Sequence, residues 1–171
     1  MSEIYELYQQ ILPTGGFVLD SSRSKVEENQ FCYALSADKG KGFSWHYFFE
    51  DMFAITKQDF YFFEDFFLES PEPEFLAIQY YTSVSGEEFH PYYQLSPNSL
   101  RAYVGGKQRN FQAVYHKNVP IRSVSVSIMP DFYHRYLKER LGDEYIDPQN
   151  AFKRMMFGVC LLYTSDAADE L

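Results

Sequence analysis

Phe75-Leu-Ala-Ile-Gln-Tyr-Tyr81, Phe111-Gln-Ala-Val-Tyr115 and Ile121-Arg-Ser-Val-Ser-Val-Ser-Ile128 fall within one stretch, Phe75 to Leu137, and they decide the fold. In the last run Val124, Val126 and Ile128 alternate with Ser123, Ser125 and Ser127. Side chains on a strand point to opposite faces with a period of two, so this is a half-buried β-strand. The valine side is expected to face the core. Turn signals at Ser85-Gly86 and Gly105-Gly106 separate the runs, with a polar segment, Ser99-Leu-Arg-Ala-Tyr-Val, between them. Pro130-Asp131 then opens a helical segment. A β-meander passing into a helix is the organising feature.

Composition agrees with that reading. The chain has 171 residues, enough for one domain, and 19% of them are aromatic, with 17 Phe and 15 Tyr. Flat rings pack well on a pleated, half-buried surface, which favours strands. The formal charge of -9 disfavours binding to a phosphate backbone. Cys32 and Cys160 form neither a metal pattern nor a disulfide framework. The start, Met1-Ser-Glu-Ile-Tyr-Glu, has no basic n-region, and no apolar run approaches the roughly 20 residues of a membrane helix. A cytoplasmic, mainly β domain without membrane attachment is expected.

Working outward, residues 2–12 read as a helix capped by Ser2, with Ile4, Leu7, Tyr8 and Ile11 on one face and Pro13 ending it. Phe17-Val-Leu and Phe31-Cys-Tyr-Ala-Leu read as strands, and Asp38-Lys-Gly-Lys-Gly as a turn. Trp45-His-Tyr-Phe-Phe and Tyr61-Phe-Phe-Glu-Asp-Phe-Phe-Leu fit strands or helices. Their aromatic content and a turn at Thr56-Lys-Gln-Asp favour strands. Helices are expected at about 130–140 and 148–156. The divisions are an N-terminal helix (1–13), a β-domain (14–129), a helical segment (130–157), and a tail (160–171). The tail resembles the in-frame translation of a transposase-based sequencing adaptor, so the natural reading frame is expected to end near Phe157 or Val159.

Chemistry is harder to find. A metallo-cupin requires a closely spaced His-x-His pair and a glutamate, so that imidazoles and a carboxylate converge on one ion. His46 stands alone, and neither a metal, a cofactor nor a catalytic residue is expected. There is no phosphate loop and no Gly-x-Ser-x-Gly elbow. Glu87-Glu88, following Gly86, read as a solvent-facing turn. Two constellations suit a small ligand. Trp45, His46, Tyr47, Tyr61, Tyr80 and Tyr81 offer flat apolar bodies with polar tips, as sugars and small metabolites require. Arg101, His116, Lys117 and Arg122 are cations that suit an anionic group. The same residues would serve equally as ordinary packing and surface solvation.

Gly86-Glu-Glu, Leu95-Ser-Pro-Asn-Ser-Leu-Arg-Ala-Tyr-Val-Gly, Tyr115-His-Lys-Asn-Val-Pro-Ile-Arg-Ser-Val and Met129-Pro-Asp-Phe-Tyr-His-Arg-Tyr-Leu carry a resemblance. This stretch, and more loosely residues 14–156, resembles the N-terminal region of AraC-type transcriptional regulators of gut Firmicutes. The resemblance implies a cupin-like jelly roll followed by helices. It also implies binding of a small-molecule effector, a homodimer, and DNA contact only through a C-terminal pair of helix-turn-helix motifs not found here. No effector residue carries across. A small cupin-type enzyme and a stand-alone carbohydrate-binding module are the alternatives.

Overall fold

The structure, a computed structural model, describes residues 2–71, 74–89, 92–104 and 110–142. The chain divides into two compact units, residues 1–130 and 131–171. The helix expected at 148–156, the turn at Gly105-Gly106 and the adaptor-like tail lie outside the described residues.

In the first unit the expected N-terminal helix is α1 (Glu3–Ile11). Ile4 is fully buried and Tyr8 is buried, as the apolar stripe requires. Ser2 occupies the cap position but makes no side-chain cap bond; the Asp51 carboxylate accepts from the Glu3 N–H instead. A 3-10 turn, Leu12–Gly15, ends the helix, and Gly16 takes the left-handed conformation (φ 81°) that glycine adopts without a Cβ clash.

The strands are β1 (Phe17–Leu19), β2 (Gln30–Leu35), β3 (Gly40–Phe49), β4 (Phe53–Phe62), β5 (Phe66–Pro71), β6 (Leu76–Ser83), β7 (Gly86–Phe89), β8 (Tyr93–Leu95), β9 (Ser99–Val104), β10 (Asn110–Tyr115) and β11 (Ile121–Ile128). One sheet runs β1-β2-β3-β4-β11-β6-β9 and the other β5-β10-β7-β8, with antiparallel pairing throughout. The eight strands β4 to β11 thus divide into the orders β4-β11-β6-β9 and β5-β10-β7-β8. That interleaving of two four-stranded sheets is the double Greek key of a jelly roll. β1 to β3 extend the first sheet. The mainly β, jelly-roll class expected from the sequence is the one observed.

The core packs aromatic rings between these elements. Phe62 stacks on Phe66 at 4.2 Å, Phe17 meets Phe60 edge-on at 4.9 Å, and Tyr5 contacts Phe31 at 4.6 Å. Such ring pairs add about 0.5–1.5 kcal/mol each beyond simple burial.

Several local expectations are corrected. Thr56 to Asp59 is the middle of β4, not a turn, because Thr56 and Gln58 take the inward parity of that strand. The run Tyr61 to Leu68 breaks at Phe63–Asp65, where the chain leaves one sheet and enters the other. The turn expected from Asp38 falls at residues 37–39, and Gly40 and Gly42 already lie in β3. A Cβ on Gly40 would come within 2.1 Å of the Tyr61 carbonyl oxygen, so close strand approach explains the glycine. Gly86 begins β7 for the same reason, with the Val114 carbonyl oxygen at 2.1 Å from its would-be Cβ. The polar segment at Ser99 is strand β9.

The largest correction concerns β11. The strand is present over 121–128, but its faces are reversed. Ser123 and Ser127 are buried, whereas Val124 is 51% exposed. The serines face the other sheet and the valines face outward.

The second unit contains most of α2 (Pro130–Leu141). Proline suits the first helical position, having no N–H to leave unpaired. Asp131 in the first turn and Lys138 and Arg140 in the last complement the helix dipole.

Candidate functional site

The strand register aligns inward side chains of the large sheet into three rungs. Ser44, Gln58, Ser123 and Tyr81 share the first, across β3, β4, β11 and β6. His46, Thr56, Ser125, Gln79 and Arg101 share the second, which reaches β9. Phe48, Ala54, Ser127, Ala77 and Tyr103 form the third. A sandwich interior of this kind is ordinarily valine, isoleucine and leucine. Here the middle rung is polar over five strands.

Residues of these rungs, among them His46, Thr56, Gln58, Gln79, Ser125 and Ser127, line one wall of a cavity of about 170 Å³ in the sandwich. Leu68 and Ser70 of β5, Glu88 of β7, and Phe111 and Tyr115 of β10 line the opposite wall. Tyr8, Ile11 and Leu12 reach it from the N-terminal helix and turn.

Part of the polar wall is satisfied internally. Tyr8 Oη and Ser127 Oγ lie 2.9 Å apart. Ser123 Oγ donates to Gln58 Oε1 at 2.8 Å, and Gln79 Nε2 donates to Ser123 Oγ at 3.2 Å. The Gln58 amide N–H groups, the Gln79 carbonyl oxygen and the Ser125 hydroxyl have no side-chain partner among the described residues. All three residues line the cavity. All three residues are half-buried, so these groups face the cavity open to ordered water or a polar ligand.

His46 is fully buried, with Ser44 Oγ at 2.8 Å from Nε2 and Thr56 Oγ1 at 3.0 Å from Nδ1. Burial pushes its pKa down to about 3, because the charged imidazolium would lose its hydration without a carboxylate to replace it. Neutral, and engaged at both nitrogens, it is a hydrogen-bonded part of the wall. Among the described residues no group of three or more His, Cys, Asp or Glu is placed to hold a metal ion.

At the β9 end of the rung, Arg101 Nη1 donates to Glu88 Oε1. The pair joins the two sheets, and its side chains are 16% and 9% exposed. The guanidinium carbon lies 4.3 Å from the Tyr93 ring centroid and 5.6 Å from that of Tyr103. Burial raises the phenol pKa of Tyr81, Tyr103 and Tyr115, and the Glu88 charge adds to this. These groups are hydroxyls that donate and accept, not phenolates.

The sequence candidates scatter. His46 and Tyr81 line the cavity, and Arg101 stands at its edge through Glu88. Trp45, Tyr47, Tyr61 and Tyr80 take the opposite parity of the same strands, and Tyr80 is 42% exposed. Arg122 pairs with Asp59 at the surface, 3.1 Å away. His116 pairs with Glu87 at 3.2 Å and bonds Ser85 at 2.8 Å. Neither Arg122 nor His116 lines the cavity, and the predicted cationic group does not converge. Glu88, read as solvent-facing, is buried. Gln58, Gln79, Ser125, Tyr103 and Tyr115 went unnoticed. A detectable signal did exist: three separate strands carry polar residues at one parity, in Thr56/Gln58, Gln79/Tyr81 and Ser123/Ser125/Ser127.

No family model matches the chain, and no curated protein matches it. Solved structures do. A cupin domain from Bordetella pertussis Tohama I is 9% identical, covering 51% of this chain and 92% of its own, with a TM-score of 0.39. The EutQ protein of Clostridium difficile is 10% identical, covering 68% and 97%, with a TM-score of 0.35. The polyketide cyclase RemF of Streptomyces resistomycificus is 11% identical, covering 66% and 73%, with a TM-score of 0.24. Similarities this distant assign no residue and no activity; the architecture stands on the strand pairing itself.

Proposed function

We propose that this domain binds a small polar molecule between its sheets, and that it serves as the effector-sensing and dimerisation part of an AraC-type transcriptional regulator. The observation that carries the binding claim is the inward face of β11. Three serines there take the inward positions that a purely structural strand would give to apolar residues, and two of them, Ser125 and Ser127, front the cavity beside Gln58 and Gln79. Such a wall matches a hydroxyl-rich ligand, with sugars among the candidates, through several directional bonds. The regulatory part rests on the segment-by-segment resemblance from Phe75 onward. In that reading DNA contact belongs to a helix-turn-helix region, and ligand binding acts by shifting the sensor between arrangements. Support for the homodimer comes from the outer face of the large sheet. Val124, Tyr80 and Leu100 lie in register there at 51%, 42% and 63% exposure. The doubly hydrogen-bonded His46 speaks against a metallo-cupin enzyme.

The test is a thermal-shift and calorimetric screen of sugars, polyols and small amines against the protein and Ser125→Val. A ligand at 100 times its Kd should add about 2.7 kcal/mol of stability to the parent. The same ligand should add nothing to Ser125→Val, which places a methyl against its polar groups. A binder unaffected by Ser125→Val would refute the cavity as its site.

A further inference from the structure

Glu88 is the one formally charged side chain among the described residues that line the cavity. His46 is neutral, and every other lining residue is a neutral polar or apolar group. The Glu88 side chain is 9% exposed. Its Oε1 takes Arg101, while Oε2 has no hydrogen-bond partner among the described residues. Arg101 is absent from the lining; its guanidinium rests on the Tyr93 and Tyr103 rings. The ion pair therefore presents its negative end to the cavity and keeps its positive end behind. Tyr81, Tyr103 and Tyr115 line the cavity beside this carboxylate and offer phenol oxygens and ring faces.

We propose that the Glu88 end of the cavity is a subsite for a protonated primary amine of the ligand, held by Glu88 Oε2 and surrounded by Tyr81, Tyr103 and Tyr115. The inference rests on the cavity being a small-molecule site. An ammonium supplies three compact donors, which suits one carboxylate oxygen and adjacent phenol oxygens. Aromatic rings add attraction for the cation where water is excluded. An anionic group at the same place would meet like charge in a poorly solvated setting. The ligand is then an amino compound whose hydroxyls face the Ser125, Gln58 and Gln79 wall.

The experiment is calorimetric titration of the full chain with primary amines, each paired with its hydroxyl isostere. The set includes D-glucosamine with D-glucose, D-galactosamine with D-galactose, and putrescine with butane-1,4-diol. At least one amine is expected to bind about tenfold or more tightly than its isostere. That preference should vanish in Glu88→Gln and persist in Glu87→Gln, whose carboxylate pairs with His116 on β7's neighbouring loop. If Glu88→Gln unfolds because Arg101 loses its partner, the double variant Glu88→Gln/Arg101→Gln removes the stranded charge and serves in its place. Hydroxyl compounds binding as tightly as their amines would overturn the amine subsite and leave the cavity reading intact. Binding by neither class would overturn both.

Discussion

His46 makes the clearest prediction at the scale of a residue. Its folded pKa of about 3 lies below the ordinary value of 6.5, because burial disfavours the imidazolium. The unfolded chain therefore takes up a proton near pH 6.5 that the folded chain refuses. Stability should be fully present above that pH and fall by about 1.4 kcal/mol per unit as pH drops towards 3. Urea titrations between pH 7 and pH 4 check this. His46→Gln, which cannot titrate, should flatten the slope, and an unchanged slope would refute the assignment. A second prediction concerns Arg101. Replacing it by alanine strands a carboxylate that is 9% exposed, and should cost about 3 kcal/mol or more in denaturant unfolding. Arg101→Ala/Glu88→Leu should recover much of that loss, since no buried charge then remains. Neither residue's setting was legible in the sequence. His46 reads as a ligand-binding tip; Ser44 meets it from two residues away on the same face of β3, but Thr56 becomes its neighbour only through the β3–β4 register.

At the scale of an element, β11 shows what periodicity can and cannot give. Alternation at 121–128 located the strand, because that pattern fits only an extended chain with two unlike faces. It did not say which face is inside. The rule that apolar residues face the core fails here because the interior is a partly polar cavity, while the outer sheet surface carries Val124 and Leu100. Thus Val124→Ala should change stability by less than about 0.5 kcal/mol, as befits a residue 51% exposed. Gly86→Ala, by contrast, sets a Cβ against the Val114 carbonyl oxygen 2.1 Å away on β10. It should cost at least about 2 kcal/mol, because the β7–β10 pairing must open to admit it. Chemical denaturation of the two variants side by side decides the point. The sequence marked Gly86 as a turn, since close backbone approach and positive φ both appear as the same letter. The breaks at Phe63–Asp65 and the continuity through Thr56–Asp59 were missed for a related reason. Polar residues inside a strand look like a turn when the cavity they serve is out of sight.

For the whole molecule, the class followed from composition and the order of the strands did not. β4 pairs with β11 through Phe60 and Ile121, and β6 with β9 through Tyr80 and Leu100. Partners so far apart in sequence leave no local trace beyond the turns between them. Net charge, in contrast, is a property of the whole chain that needs no topology. At -9, this protein carries a field that repels nucleic acid, and any complex would gain little from releasing condensed counterions. Among the described residues several exposed cations are answered on the spot, Arg122 by Asp59, Lys117 by Glu64 and Arg23 by Asp20. A phosphate contact at these residues would have to break such pairs before making its own. Purified residues 1–171 should therefore show no binding to duplex DNA at physiological salt, by fluorescence anisotropy, with or without a cavity ligand. Sub-micromolar binding that weakens steeply with added salt would mean that a cationic surface exists which these pairs do not account for. It would also move DNA contact from the helix-turn-helix region of the proposed regulator onto the sensing domain itself.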